Sequence, residues 1–440
     1  MAISDTSRQR PINQRWTRSG AVVSDLIVII LIVVAIVGAA TGKMFVTALC
    51  GLILVLAAVS RLWSRLALVD VDYQCLPSSE RLLVGEMFEL TLVIENRKPL
   101  PLPWLNISET LPEGLALVDR APTVRPSMQP SMQGRPVGKD ISDSTGFGPY
   151  QRVKFHHYLQ ALQRGIYGLG PTRITSGDIF GFYQARLDTP KRRPSIIVYP
   201  RWVPLPEFDL RSNRPIGDSW SPSRLTDDPT RPAGLREYRP GDPAARIDWK
   251  ATARRDEVFI RTYDASVVQR VVILLECDTS IQRWRIHPQV LEAAVTGATS
   301  VAVRCLELGY SVGLVSNGNM ASTLAPPLVA PGAGPDQLSA LMTTLAGANP
   351  FTTGAIEKLV VAYGAEALPH GATVVYISGA VRPATAAFVA DLGQRGHRVT
   401  ALYVGDGAPP TYPGLAMEDY REIFSLPGIS TERSPEHSNA

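Results

Sequence analysis

Cysteine is scarce in this chain: four in 440 residues (Cys50, Cys75, Cys277 and Cys305), with no CxxC spacing and no paired pattern. That usage suits a reducing compartment and argues against a disulfide scaffold. Histidine is scarcer in context, six in all. His156 and His157 alternate on an expected strand and so point to opposite faces, which is wrong for joint metal ligation. His287, His370 and His397 stand alone, so no Ser/His/Asp arrangement is supported and no catalytic residue is assigned. Charge of one sign is lacking too. The net charge of +4 gives no reason to expect nucleic acid as a partner. Gly332-Ala333-Gly334 and Gly405-Asp406-Gly407 lack the strand-to-helix setting of a phosphate loop. Bulk disorder is also unsupported, since 45% of residues are hydrophobic and 19% charged.

Long hydrophobic runs, by contrast, are present. After a polar stretch at 1–20 carrying Arg8, Arg10, Arg15 and Arg18, Val22–Ala40 is almost wholly apolar. It would span about 28 Å as a helix. A second run, Met44–Val59, would span about 24 Å and ends at Arg61, Trp63 and Arg65. A cleaved signal peptide would have a shorter apolar core and no second run behind it. Residues 21–60 are therefore expected as two transmembrane helices. The flanking arginines place both ends, and the bulk of the chain, on the cytoplasmic side of an inner membrane.

From 66 to 204 the pattern is that of an antiparallel β-sandwich. Phe88–Glu95 alternates, Leu105 and Ile107 alternate with Asn106 and Ser108, and Val153, Phe155, His157 and Leu159 alternate with polar neighbours. Residues 121–148 are rich in Pro, Ser, Gln and Gly and are expected as a mobile insertion. Residues 205–233 read as a connector without periodicity. From 265 to 405 strands alternate with helices: Val271–Leu275, the helix Pro288–Leu308, Val312–Val315, helices around Leu341, Val360 and Val389, and strands Val374–Ile377 and Val399–Val404. That rhythm means a doubly wound α/β sheet. A tail at 406–440, Pro-rich and then polar, is expected to be flexible.

Between the two halves, at 234–264, lies the densest arrangement of charge. Arg236, Tyr238, Gly241, Asp242, Arg246, Ile247, Asp248, Trp249 and Lys250 alternate in sign around a Pro240-Gly241 turn. Asp242 is expected to cap a helix that carries Arg246 and Lys250 one turn apart. Asp248 would then reach Arg236 or Arg239, with Trp249 as a buried apolar plug. Breaking such a partly buried pair would cost on the order of 3 kcal/mol. An exposed partner-binding face is the competing expectation.

This segment, LREYRPGDPAARIDWKATAR, closely resembles the signature of the bacterial domain of unknown function 58 family, R-x-Y-x-x-G-D-x-x-R-x-I-D-W-K. The RGxYxLGP and DxFGF patterns at 164–171 and 178–182 are similar to that family's as well. The resemblance implies a membrane hairpin, a β-rich region and a von Willebrand factor A-like domain, often partnered by a MoxR-type AAA+ ATPase. It implies no enzymatic activity. Against the adhesion-type metal pattern of von Willebrand A domains, D-x-S-x-S, this chain keeps Asp278 and Ser280 but has Gln282 in the last slot, and Ser378-Gly379 where an aspartate is expected. Asp278, Ser280 and Thr353 would be the ligands if Mg²⁺ binds. The expected role is thus a membrane-anchored cytoplasmic adaptor in contact with the lipid bilayer and the ATPase. The alternative is a membrane-associated, hydrolase-like enzyme using Asp278 or the pair Asp242 and Asp248.

Overall fold

The computed structural model describes residues 25–118, 136–138, 140–189, 195–206, 208, 227–238, 247–255, 257–265, 269–279, 287–320, 328–352 and 354–424. They fall into two compact units, Met1–Tyr199 and Pro200–Ala440.

The first unit begins with two apolar helices, α1 (Asp25–Ala40) and α2 (Met44–Ala67). Gly42, at φ +68°, makes the turn between them, and Lys43 N donates to Gly38 O at 2.9 Å. Gly38 lies against Val46 and Thr47, so the helices pack side by side. At 24 residues α2 is about 36 Å long, and it is long and apolar enough to cross a membrane; α1 is a shorter apolar helix. The second run was expected to end near residue 59, but α2 continues through Arg61, Trp63 and Arg65 to Ala67. These residues are good or neutral helix formers with no breaker among them. The extension ends inside the β structure, where Ala67 and Leu68 are fully buried.

Twelve strands follow: β1 (Val71–Pro77), β2 (Arg81–Leu83), β3 (Met87–Asn96), β4 (Leu102–Thr110), β5 (Leu115–Val118), β6 (Pro136–Gly138), β7 (Asp140–Phe147), β8 (Arg152–Ala161), β9 (Gly165–Gly168), β10 (Thr172–Gly177), β11 (Gln184–Asp188) and β12 (Ser195–Tyr199). They form sheets ordered β1-β3-β8-β5-β6, β11-β10-β4-β7 and β2-β12-β9. Ile94 of the first sheet shares a core with Leu105, Ile107, Phe147, Ile174 and Leu187 of the second, joined by Ala67 and Leu68. The alternation expected at Leu105/Ile107 is observed, with Asn106 and Ser108 outward. Residues 119–135 lie outside the described residues, but the expected insertion 121–148 is corrected from 136 onward, where β6 and β7 are paired strands. As an edge strand β7 buries only Ile141 and Phe147 on the core side. Its Ser, Asp and Thr residues face outward or half outward, which disguises it as loop.

The second unit contains β13 (Asp227–Glu237), α3 (Trp249–Arg255), β14 (Phe259–Ala265), β15 (Arg270–Leu275), α4 (Pro288–Glu307), β16 (Ser311–Ser316), β17 (Gly318–Met320), β18 (Leu328–Gly332), α5 (Pro335–Gly347), β19 (Ala348–Thr352), α6 (Ile356–Tyr363), β20 (Thr373–Ser378), α7 (Pro383–Gln394), β21 (Arg398–Tyr403), β22 (Met417–Asp419) and α8 (Arg421–Phe424). The end of the expected connector, 227–233, is already strand β13, and the expected flexible tail is corrected up to 424, where β22 pairs with β21 and Phe424 of α8 is buried in the core. The main sheet runs β18-β16-β15-β20-β21-β22, parallel except for β18 at its edge. Alternation along β15 feeds two cores. Val271, Ile273 and Leu275 pack with residues of α4 and α5, while Val272 and Leu274 pack with residues of α6 and α7. Both faces are covered by helices, which is why the strands read as unbroken apolar runs.

Candidate functional site

From β15 the chain crosses to β16 on one side and later returns to β20 on the other. The carboxyl ends of β15 and β20 therefore flank a topological switch point, where open α/β sheets bind ligands. A buried polar network occupies it. Glu276, just past β15, is 1% exposed. Its Oε1 accepts from Asn317 Nδ2 at 3.0 Å, and its Oε2 accepts from the Tyr376 hydroxyl at 2.7 Å. Asn317, in turn, accepts from Cys277 N at 2.8 Å through Oδ1. Three strand ends are thus tied together by side chains. Burial pushes the Glu276 carboxyl up to about 7; the Tyr376 hydrogen bond and Arg382 pull it down, while Asp278 and Glu357 add to the rise. Tyr376 is raised well above its ordinary value, first by burial and then by Glu276.

Asp278 is the outermost acid of the group and forms an ion pair with Arg382, the residue preceding α7. Ser378 Oγ accepts from Ala380 N at 3.1 Å. Ser280 and Thr353 lie outside the described residues. Asp278 is thus engaged by a guanidinium and Ser378 by a turn. No cluster of three potential metal-binding His, Cys, Asp or Glu occurs among the described residues. The crevice holds a carboxyl whose pKa is raised to about 7, but that group is buried and its neighbour Cys277 is fully buried.

The signature segment folds differently from its expected helix. Ile247 bridges to Ile260 of β14, and Asp248 N donates to Phe259 O at 2.8 Å, so both are extended along that strand. α3 begins at Trp249. Asp248, not Asp242, is its cap: Asp248 Oδ1 accepts from Lys250 N at 3.0 Å and Ala251 N at 3.1 Å. Arg236 lies on β13 opposite Ile260, and Tyr238 N donates to Val258 O at 2.8 Å. Gly241, Asp242 and Arg246 lie outside the described residues. Trp249 is 69% exposed instead of buried as a plug. Pairing of Ile247 with β14 explains this, because it spends the inward position on the isoleucine and leaves the first helical residue at the surface.

Sequence reasoning named Asp278 but missed Glu276, Asn317, Tyr376 and Arg382 as its companions. The available signal was a polar residue directly after each of the apolar runs of β15 and β16. The revised geometry changes the expected energetics. Asp248→Ala should cost about 1–2 kcal/mol through loss of the cap, whereas Trp249→Ala should change stability by no more than about 0.5 kcal/mol. Thermal melting of the two variants checks this; equal and large losses would mean that Trp249 is part of a core.

Residues 234–417 match the family described as "Protein of unknown function DUF58". Over that segment the chain is similar to the DUF58 family. Among curated proteins it is similar to the "Uncharacterized protein YeaD" of Bacillus subtilis (strain 168), 23% identical over 243 residues. That match covers 54% of this chain and 54% of the relative, so the chain spans about half the length of the relative it matches. Among solved structures, native alpha-2-macroglobulin from Escherichia coli, spanning domain MG7 to the C-terminus, matches 30% of this chain and 23% of its own at 14% identity. The TM-score of that match is 0.22.

Proposed function

We propose that the protein is a membrane-anchored adaptor whose second unit, read as a von Willebrand A-like domain, binds a protein partner through the DUF58 signature. The observation that carries this is Trp249, 69% exposed at the start of a short helix, with Tyr238 and Val258 also exposed where the ends of β13 and β14 meet. Scattered apolar residues on a surface are ordinary, but exposed Trp and Tyr are the residue types enriched in binding hot spots. The chemistry of an enzyme finds less support. Asp278 is paired with Arg382, Asp248 caps α3, and Glu276 is sealed.

The partner we infer is a MoxR-type AAA+ ATPase, on family resemblance. α2 supplies the anchor, and a two-helix, inner-membrane arrangement with the second unit in the cytoplasm follows from arginines on both flanks of the apolar pair. Affinity purification of the full chain from membranes tests the reading. An AAA+ ATPase should co-elute with the parent, and Trp249→Ala should weaken its binding roughly thirtyfold, the effect of losing a hot-spot residue. Undiminished co-elution with the variant would remove the signature from the interface.

A further inference from the structure

The end of the β unit that receives α2 has an unusual surface. Val71 pairs with Asn96, Leu102 with Phe147, and Gly177 with Gln184. The start of β1, the β7–β8 turn and the β10–β11 turn therefore all lie at this one end. α2 packs against β10 and β11 there, and its last residue enters the core with Ile174 and Leu187. The rest of α2 keeps most of its apolar side chains exposed, so it projects away from the strands instead of lying over them.

The β10–β11 turn presents Ile179 and Phe180, 64% and 57% exposed, to the outside. They are held out by a buried scaffold. Asp178, 1% exposed, accepts from Phe180 N at 3.0 Å, Phe182 N at 3.3 Å and Tyr183 N at 2.7 Å. Trp104 Nε1 donates to Asp178 O at 3.1 Å, and Phe180 stacks on Phe182 at 5.7 Å. Gly181, at φ +74°, completes a turn that a side chain there would strain. Tyr150, 68% exposed, stands on the neighbouring β7–β8 turn, where its N donates to Lys98 O. A rigid tip that spends a buried carboxylate on displaying two apolar side chains is built for contact.

We propose that this end of the β unit seats on the lipid surface, with Ile179 and Phe180 entering the boundary between headgroups and acyl chains and Tyr150 lying at headgroup level. The bilayer is the occupant the structure favours, because the helix that is long and apolar enough to cross it leaves from the same end. Aromatic residues are the side chains that settle at this boundary. α2 and the tip would fix the β unit at two points and so set its tilt.

The proposal rests on reading α2 as a membrane span, and one experiment separates the two. Nitroxide labels are placed by Ile179→Cys, Tyr150→Cys, Leu52→Cys in α2 and Leu162→Cys, which lies 43% exposed at the opposite end of the unit. The full chain is reconstituted in nanodiscs of mixed phosphatidylcholine and phosphatidylglycerol, and collision with oxygen is compared with collision with a water-soluble nickel chelate. The unlabelled-site background comes from the parent with its four cysteines. The expected oxygen-to-nickel ratio at 179 is several-fold above that at 162, with 150 between 179 and 162 and 52 highest. A high ratio at 52 with aqueous values at both 179 and 150 would overturn the proposal and leave the anchor intact, pointing to a protein partner at the tip. An aqueous value at 52 would overturn both.

Discussion

Replacing Glu276 with alanine should destabilise the α/β unit strongly at pH 5 and much less at pH 8. At pH 5 the native carboxyl is protonated and satisfies Asn317 Nδ2 and the Tyr376 hydroxyl. Alanine orphans two buried groups at about 1–3 kcal/mol each, so a loss of about 4 kcal/mol is expected. At pH 8 the native protein carries a penalty of its own. A carboxyl whose pKa is raised from 4.5 to about 7 contributes stability fully present below 4.5 and lost as pH rises through 7. That loss is about 3 kcal/mol, and the alanine variant is spared it. The difference between the two proteins should therefore shrink to about 1 kcal/mol at pH 8. Glu276→Gln should flatten the pH slope between 4.5 and 7. Hydrogen exchange of β15 and β20 amides reads the unit locally. An equal loss at both pH values would show that Glu276 does not titrate in this window.

The second large effect should come from Lys98. The residue is 8% exposed, and its ammonium donates to the carbonyls of Leu66, Ala67 and Val69, capping the carboxyl end of α2 from within the β unit. Burial pushes its pKa down to about 8, and Asp70 opposes the shift, so the cap is charged at neutral pH. Charge-assisted bonds and the helix dipole both favour a cation here. Lys98→Met keeps the apolar stem but takes the donor from the carbonyls of Ala67 and Val69, while Leu66 O keeps the amides of Leu68 and Val69. The cost is about 3 kcal/mol. The expected phenotype is local: proteolysis and fast exchange at the α2–β1 junction, with β8 still protected. Protection retained at the junction would mean that Ala67 and Leu68 dock the helix without the cap.

Both of these residues escaped the sequence for the same reason. Regular burial leaves a periodic trace, so the strand Val271–Leu275, the helix from Pro288 and the alternation at Leu105 and Ile107 were legible. Lys98 and Glu276 derive their roles from carbonyls and amides far away in the chain, and no local pattern records that. β7 was hidden because an edge strand needs only Ile141 and Phe147 inward. The cap at Asp248 was missed because pairing of Ile247 with Ile260, a tertiary contact, sets where α3 starts; the expected start at Asp242 lies outside the described residues. Arg382, the partner of Asp278, is about a hundred residues away, beyond the reach of any spacing argument.

The adaptor account stands most directly on what touches Trp249 in the cell. Incorporating a photo-crosslinking benzoylphenylalanine at position 249 of the full chain, irradiating intact cells and identifying the adduct by mass spectrometry gives that contact. The account predicts one dominant adduct with an AAA+ ATPase, abolished when the label is moved to Leu162 in the first unit. No adduct at 249, or the same adducts from both positions, would contradict it.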